Sequence, residues 1–139
     1  MPTDRRVLIF GGTGFLGRHL AAALKNGGYS PVIVARRGGD IAWDGVNVGD
    51  WAHALEGARA VINLAGAPVV LRKTKANKEL IVSSRVDSTR AIGRAIEATA
   101  KPPQAWLNAS AVGYYGDCGD EIVSEDSPAG SGFRSEEHT

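Results

Sequence analysis

Gly11-Gly12-Thr13-Gly14-Phe15-Leu16-Gly17 is the stretch on which the reading of this chain turns. Before it lies Val7-Leu8-Ile9-Phe10, a short continuous apolar run. Such a run reads as a strand buried on both faces, as in a parallel sheet. After it, Phe15, Leu16, Leu20, Ala23 and Leu24 recur at helical spacing as far as Lys25, and Gly27-Gly28 predicts the end of that helix. The loop glycines are spaced G-x-x-G-x-x-G between strand and helix. Gly11 is expected to permit the tight turn, Gly14 to let the backbone approach a diphosphate, and Gly17 to let the helix pack close to the sheet. Thr13, Phe15 and Leu16 lie between these glycines. The free N–H groups and dipole of the helix start favour an anion there. A glycine-rich turn without a ligand has the same spacing; the strand, loop, helix and second strand in succession favour a phosphate loop.

Outward from this loop the pattern repeats. Pro31 to Ala35 reads as a second buried strand, Ile41 to Asp44 as a short third, Asp50 to Leu55 as a short helix and Ala60 to Leu64 as a fourth strand. Asn77 to Ala100 carries Leu80, Ile81, Val86, Ile92 and Ile96 and predicts a long helix; Ala105 to Ser110 predicts a fifth strand. From Val112 onward Gly, Asp, Ser and Pro dominate, which reads as loop. Strands alternating with helices give an α/β fold, a doubly wound parallel sheet of Rossmann type. Right-handed crossovers set the expected strand order at 3-2-1-4-5. The ligand crevice then falls at the carboxyl ends of strands 1 and 4.

Three further groups bear on that crevice. Arg36 and Arg37 follow the second strand, where an acidic residue would bind the ribose hydroxyls of NAD; arginine fits the 2′-phosphate of NADP instead, so NADP is favoured over NAD. A solvated basic turn is the alternative. Asp44 faces an adenine amino group or serves as a turn aspartate. Leu64, Ala65 and Gly66 close the fourth strand, small enough at the last two positions for the backbone to pass the nicotinamide-side ribose.

Composition narrows the field further. The 139 residues suit one domain, and 43% of them are hydrophobic, enough for a core. Net charge is +1, which argues against nucleic acid or a membrane surface as partner. No apolar run reaches the roughly 18 residues of a membrane span. The single cysteine, Cys118, allows no internal disulfide and fits a reducing, cytoplasmic compartment. Met1 to Arg6 is polar and carries no pattern of a signal peptide. His19, His53 and His138 show no metal-ligand spacing, so no metal is expected.

Taken together, Gly11–Gly17, Asn63–Gly66 and the run Asn108-Ala109-Ser110-Ala111-Val112-Gly113-Tyr114-Tyr115-Gly116-Asp117 resemble the extended short-chain dehydrogenase/reductases. The stretch Lys78 to Thr89 and the Gly-Tyr-Tyr-Gly run are similar to the atypical branch called the epimerase family, the nucleoside-diphosphate-sugar epimerase-like proteins. The resemblance implies NADP(H) or NAD(H) binding and hydride transfer on a small-molecule substrate such as a sugar nucleotide. It also implies a catalytic Ser and a Tyr-x-x-x-Lys motif, the Tyr as general acid/base and the Lys lowering its pKa. The catalytic candidates it offers are Ser110 and Tyr115.

The chain departs from that pattern in three places. The residues four beyond Tyr29, Tyr114 and Tyr115 are Ile33, Cys118 and Gly119, so no tyrosine is followed by the motif's lysine. Counting back from Tyr115-Gly116 puts Ala111 at the usual serine position, whereas a shift of one residue puts Ser110 there. Arg85 stands where many extended members carry a helical asparagine; it holds a phosphate or carboxylate, or else serves in a surface ion pair. These departures leave open a non-catalytic, NADP-binding or redox-sensing protein.

The resemblance runs from about Arg5 to Phe133, and the final Arg134-Ser135-Glu136-Glu137-His138-Thr139 is what AGA TCG GAA GAG CAC ACG encodes. That string begins a widely used sequencing-library adapter. Residues 1–133 are thus expected to be an incomplete dinucleotide-binding domain and 134–139 a translated adapter tail. With later strands absent, the fifth strand is expected to be an uncovered edge and the chain to be marginally stable.

Overall fold

A computed structural model gives the architecture, and the structure describes residues 4–132. The residues read as an adapter tail lie outside the described residues. Strand β1 (Arg6–Phe10) leads through the glycine loop into helix α1 (Phe15–Asn26). Then come β2 (Ser30–Ala35), the two-residue β3 (Ile41–Ala42), a 3-10 helix (Asp50–Leu55), β4 (Ala60–Asn63), α2 (Lys75–Glu97) and β5 (Ala105–Asn108). The five strands form one sheet in the order β3-β2-β1-β4-β5, every neighbouring pair parallel. The doubly wound parallel sheet expected from the sequence is therefore the fold.

Burial follows from strand position. β1 lies between β2 and β4, and its residues from Val7 to Phe10 are all buried. Leu8 and Phe10 share one face with their register partners Val32, Val34 and Val61. That face carries the main core, closed by Trp43, Trp51 and Leu55 and by Ala91, Ile92 and Ala95 of α2. Phe10 meets Trp43 and Trp51 edge-on, with ring centroids 5.0 and 5.1 Å away. Both indole Nε1–H groups donate to the same Asn47 carbonyl, at 2.8 and 3.0 Å. Two large aromatic side chains are thus buried without leaving a polar N–H unpaired.

Differences from the expected elements have local causes. β2 is buried only at Val34 and Ala35 and is exposed or half-buried from Ser30 to Ile33. Its outer neighbour β3 pairs with it only through Ile41 and Ala42, leaving the first part of β2 an edge. β5 is exposed at all four positions, with Trp106 and Leu107 at 41% and 53% exposure, an uncovered edge as expected. Val112–Tyr115, read as loop, forms a short 3-10 helix. Residues spaced i, i+3 and i+4 were too few in that short segment to mark a helix.

Candidate functional site

Gly11 is the residue where the two halves of the sheet diverge. Its N–H donates to Val34 O of β2 at 2.9 Å, and it has φ +72°. A Cβ on it would stand 2.9–3.0 Å from Ala65 N and Cα and the Leu64 carbonyl carbon. Only glycine meets both the left-handed backbone and this approach. Leu64 N–H in turn donates to Phe10 O at 2.8 Å, carrying the β1–β4 ladder one residue past the strand. The expected loop residues Gly11, Leu64, Ala65 and Gly66 are thus brought together at the carboxyl ends of β1 and β4, where a doubly wound sheet opens a crevice.

The other loop glycines divide into packed and open positions. A Cβ on Gly12 would meet the Ile33 side chain at 2.8 Å and Ile9 O at 2.9 Å. One on Gly17 would strike the Gly12 backbone. The reason for Gly17 is therefore more local than expected: the helix packs against its own loop. A Cβ on Gly14, by contrast, would meet only Gly11 O, at 3.7 Å. Gly14 is the N-cap of α1; no side chain caps that turn and no acidic residue occupies it. The open face of the loop at Gly14 is the one a diphosphate would approach. Phe15 and Leu16, just inside the helix, are 70% and 60% exposed.

Beside the loop, on the β2 side, lies an open groove of about 480 Å³. Gly12 and Thr13 of the loop, Ile33 of β2, Arg37 and Gly38 beyond it, and Arg18 and Ala21 of α1 line it. Arg37 lines this groove, whereas Arg36, exposed like Arg37, lies outside the lining. Arg18 was not anticipated, since its position after Gly17 acquires meaning only when α1 and the end of β2 form two walls of one groove. No carboxylate lines the groove. Asp40, the first acidic residue after β2, accepts the Ile33 N–H at 2.8 Å.

Asp44 is built into a turn. Its Oδ1 accepts the N–H groups of Val46 and Asn47, both at 2.8 Å, and its Oδ2 accepts from Asn47 Nδ2 at 2.8 Å. Hydrogen bonds from the Asn47 and then the Val46 backbone hold its carboxyl below the usual carboxylate range. Of the two uses expected for Asp44, this is the turn; it also positions Asn47 beneath the tryptophan pair.

A polar cluster underlies the β4 side of the crevice. Asn63, 3% exposed, pairs in register with Asn108 of β5. Its Nδ2 donates to Asn108 Oδ1 at 2.8 Å and lies 3.4 Å from Ser88 Oγ, while its Oδ1 accepts the Ala65 N–H at 3.0 Å. Arg85 Nη1 donates to Ala67 O at 3.2 Å and Ile81 O at 3.0 Å, and its guanidinium carbon would be 3.0 Å from a Cβ on Gly66. Arg85 therefore ties α2 to the strand-4 loop. The sequence pointed to Asn63 and Asn108 only as members of strands and of the stretches that carry the family resemblance, not as a pair; the signal that could have found the pair is an asparagine closing each of two neighbouring strands.

Ser110 lies exposed two residues beyond β5, and Tyr115 is half-buried at the end of the following 3-10 helix. The Tyr114 and Tyr115 rings meet edge-on at 5.1 Å, and Tyr114 O accepts the Gly130 N–H at 2.9 Å. This segment is packed on itself and on Gly130, beyond the carboxyl end of β5, the end of the parallel sheet at which the glycine loop also lies.

The sequence profile of the NAD dependent epimerase/dehydratase family matches residues 7–135. The epimerase family protein SDR39U1 of Bos taurus is 37% identical over 131 residues, which cover 90% of this chain and 43% of that protein. Human SDR39U1, isoform 2, solved with NADPH, superposes with a TM-score of 0.84 at 32% identity, over 96% of this chain and 46% of that one. The nucleoside-diphosphate sugar epimerase from Corynebacterium glutamicum superposes with a TM-score of 0.81 at 33% identity, over 96% of this chain and 28% of that one. The chain thus spans less than half the length of these relatives. With the parallel sheet, the glycine loop and the sequence match in agreement, the chain belongs to the NAD dependent epimerase/dehydratase family.

Proposed function

We propose that this chain is a dinucleotide-binding module that takes NADP(H) in preference to NAD(H). The observation that carries the reading is the pairing of an open, uncapped helix start at Gly14 with an arginine-lined, carboxylate-free groove beside it. The α1 N-terminus and the loop around Gly11, Thr13 and Gly14 would hold the diphosphate, with Phe15 and Leu16 presenting the first-turn N–H groups. Arg37 would hold the 2′-phosphate. Leu64, Ala65 and Gly66 would flank the nicotinamide-side ribose, kept in place by Asn63. SDR39U1 being solved with NADPH supports the choice of cofactor.

The bound nicotinamide supplies hydride exchange, in the whole protein with a small substrate of the sugar-nucleotide class. The C. glutamicum relative, named a nucleoside-diphosphate sugar epimerase, supports that class. Within these 139 residues no tyrosine has a lysine four positions on. Ser110 and Tyr115 are left without the partner that would tune the Tyr115 phenol for proton transfer. The chain by itself is therefore a binder without turnover.

Titration of the purified chain with NADPH and NADH, read by cofactor fluorescence and calorimetry, tests the reading. Saturable binding tighter for NADPH is expected, with no oxidation of NADPH on adding UDP- or TDP-sugars. Binding of neither dinucleotide sinks the proposal. A non-catalytic, redox-sensing role of the whole protein predicts the same binding and, in the full-length parent, no turnover with any sugar nucleotide.

A further inference from the structure

Arg18 belongs to no glycine of the loop and to no strand end, yet it lines the same groove as Arg37. It lies one helical turn beyond the N-cap, its N–H donating to Gly14 O at 3.0 Å. A turn of helix advances about 5.4 Å, so Arg18 serves a second anionic position rather than the one at the helix start. Among the described residues, neither the Arg18 nor the Arg37 guanidinium takes part in an ion pair or a side-chain hydrogen bond, whereas that of Arg6 is paired with Asp4. Two guanidiniums with no counter-charge, on two walls of one groove, match a phosphomonoester of charge about −1.5 to −2.

Resting on the dinucleotide reading above, we infer that Arg18 is a second cofactor-selecting residue. It and Arg37 clamp the ribose phosphomonoester from the α1 wall and the β2 wall of the groove, and Arg36 takes no part. The apolar side chain of Ile33 and the glycines Gly12 and Gly38 make up much of the rest of the lining, in a groove of about 480 Å³. The inference separates two adjacent arginines that sequence alone treats alike, and recruits a third from a helix.

The test is calorimetric titration of the chain and its variants with NADPH, NADH, adenosine 2′,5′-bisphosphate and inorganic phosphate. Arg18→Gln is expected to weaken NADPH and the bisphosphate by about tenfold to a hundredfold, the loss of one charge-assisted hydrogen-bonding group, and to leave NADH within about twofold. Arg37→Gln should do the same, and Arg36→Gln should change none of the four. Inorganic phosphate alone should bind far more weakly than the bisphosphate, because the groove holds the phosphate as part of the adenosine ribose.

Arg18→Leu repeats the measurement with an unrelated side chain should the glutamine variant not fold. Equal weakening of NADPH and NADH, or of neither, in these variants overturns the inference. So does an Arg36→Gln that behaves like Arg18→Gln, or phosphate binding as tight as the bisphosphate. Wild-type chain that binds NADPH and NADH equally defeats the preference for NADP(H) and with it the roles of Arg18 and Arg37, while leaving the dinucleotide site standing; loss of discrimination on Arg37→Gln but not on Arg18→Gln defeats the role of Arg18 alone. Wild-type chain that binds neither defeats the dinucleotide reading itself.

Discussion

Gly17 in the first turn of α1 lies directly on the backbone of Gly12, so close that a methyl group on Gly17 would overlap the Gly12 Cα, carbonyl carbon and oxygen. Gly14, between them in sequence, has room for a methyl group, which would meet only Gly11 O at an ordinary 3.7 Å. The three glycines therefore answer to different constraints, one pair to packing and the third to what approaches from outside.

That difference is measurable. Gly17→Ala should cost about 1–3 kcal/mol, the range for overpacking a tight contact, read as a lower denaturation midpoint in urea. Gly14→Ala should change stability by less than about 1 kcal/mol, as expected for Gly to Ala at a helix N-cap. It should nevertheless weaken NADPH at least about tenfold, because its methyl group stands where the diphosphate would approach. Gly14→Ala that binds like the wild type, or Gly17→Ala as stable as the wild type, contradicts this division.

Asn63 couples a buried polar cluster to the β4 loop. Asn63→Ala leaves the Ala65 N–H without its partner and Asn108 Oδ1 with the Thr89 hydroxyl alone, at 3.3 Å, which should cost about 1–3 kcal/mol. Asn63→Asp keeps an acceptor for Ala65 but turns the donor toward Asn108 into a second acceptor and buries a charge, so it should be the worse substitution. The measurement is the urea midpoint of both variants at pH 7. An aspartate variant more stable than the alanine one would show that the Asn108 amide turns over to donate, and that this donor pairing is not what Asn63 is there for.

Acid should loosen the chain at two places, the lead-in to β1 and the turn at Asp44. The Asp4 carboxyl is held low, first by the Arg6 side-chain hydrogen bond, and Asp44 by the Asn47 and Val46 N–H groups. Both folded values lie below the unfolded ones. Their stabilisation is thus fully present above the ordinary carboxylate value and is lost as pH falls through the folded values. Stability should be flat in this respect from pH 7 to about 5 and should fall below about pH 4. Asp44→Asn keeps an acceptor for both N–H groups without the titrating proton, and should lessen the acid-dependent loss. An unchanged pH profile in that variant would remove Asp44 from the account.

How much of this was legible in the sequence depended on whether the cause was local. The β1–loop–α1 unit was readable because its constraints act within a dozen residues: an apolar run, glycines at fixed spacing, a helix-period stripe. Strand order followed from the handedness of crossovers. Arg18 could not be separated from any solvated helix arginine, because its role depends on where the end of β2 falls beside α1. Trp43 and Trp51 were equally opaque, since their shared acceptor is the carbonyl of Asn47, a residue whose side chain carries no such signal. The 3-10 helix at Val112–Tyr115 was too short for periodicity to reveal.

The distribution of the three tryptophans gives the chain two optical compartments. Trp43 and Trp51 are 6% and 3% exposed against Phe10, the residue immediately before the glycine loop, whereas Trp106 on the edge strand is 41% exposed. Indole emission is blue and shielded in the first place, redder and open to collisional quenchers in the second. Acrylamide will therefore silence Trp106 preferentially and leave a signal from beneath the glycine loop. Any ligand that tightens or loosens that loop will be reported by fluorophores the protein already carries.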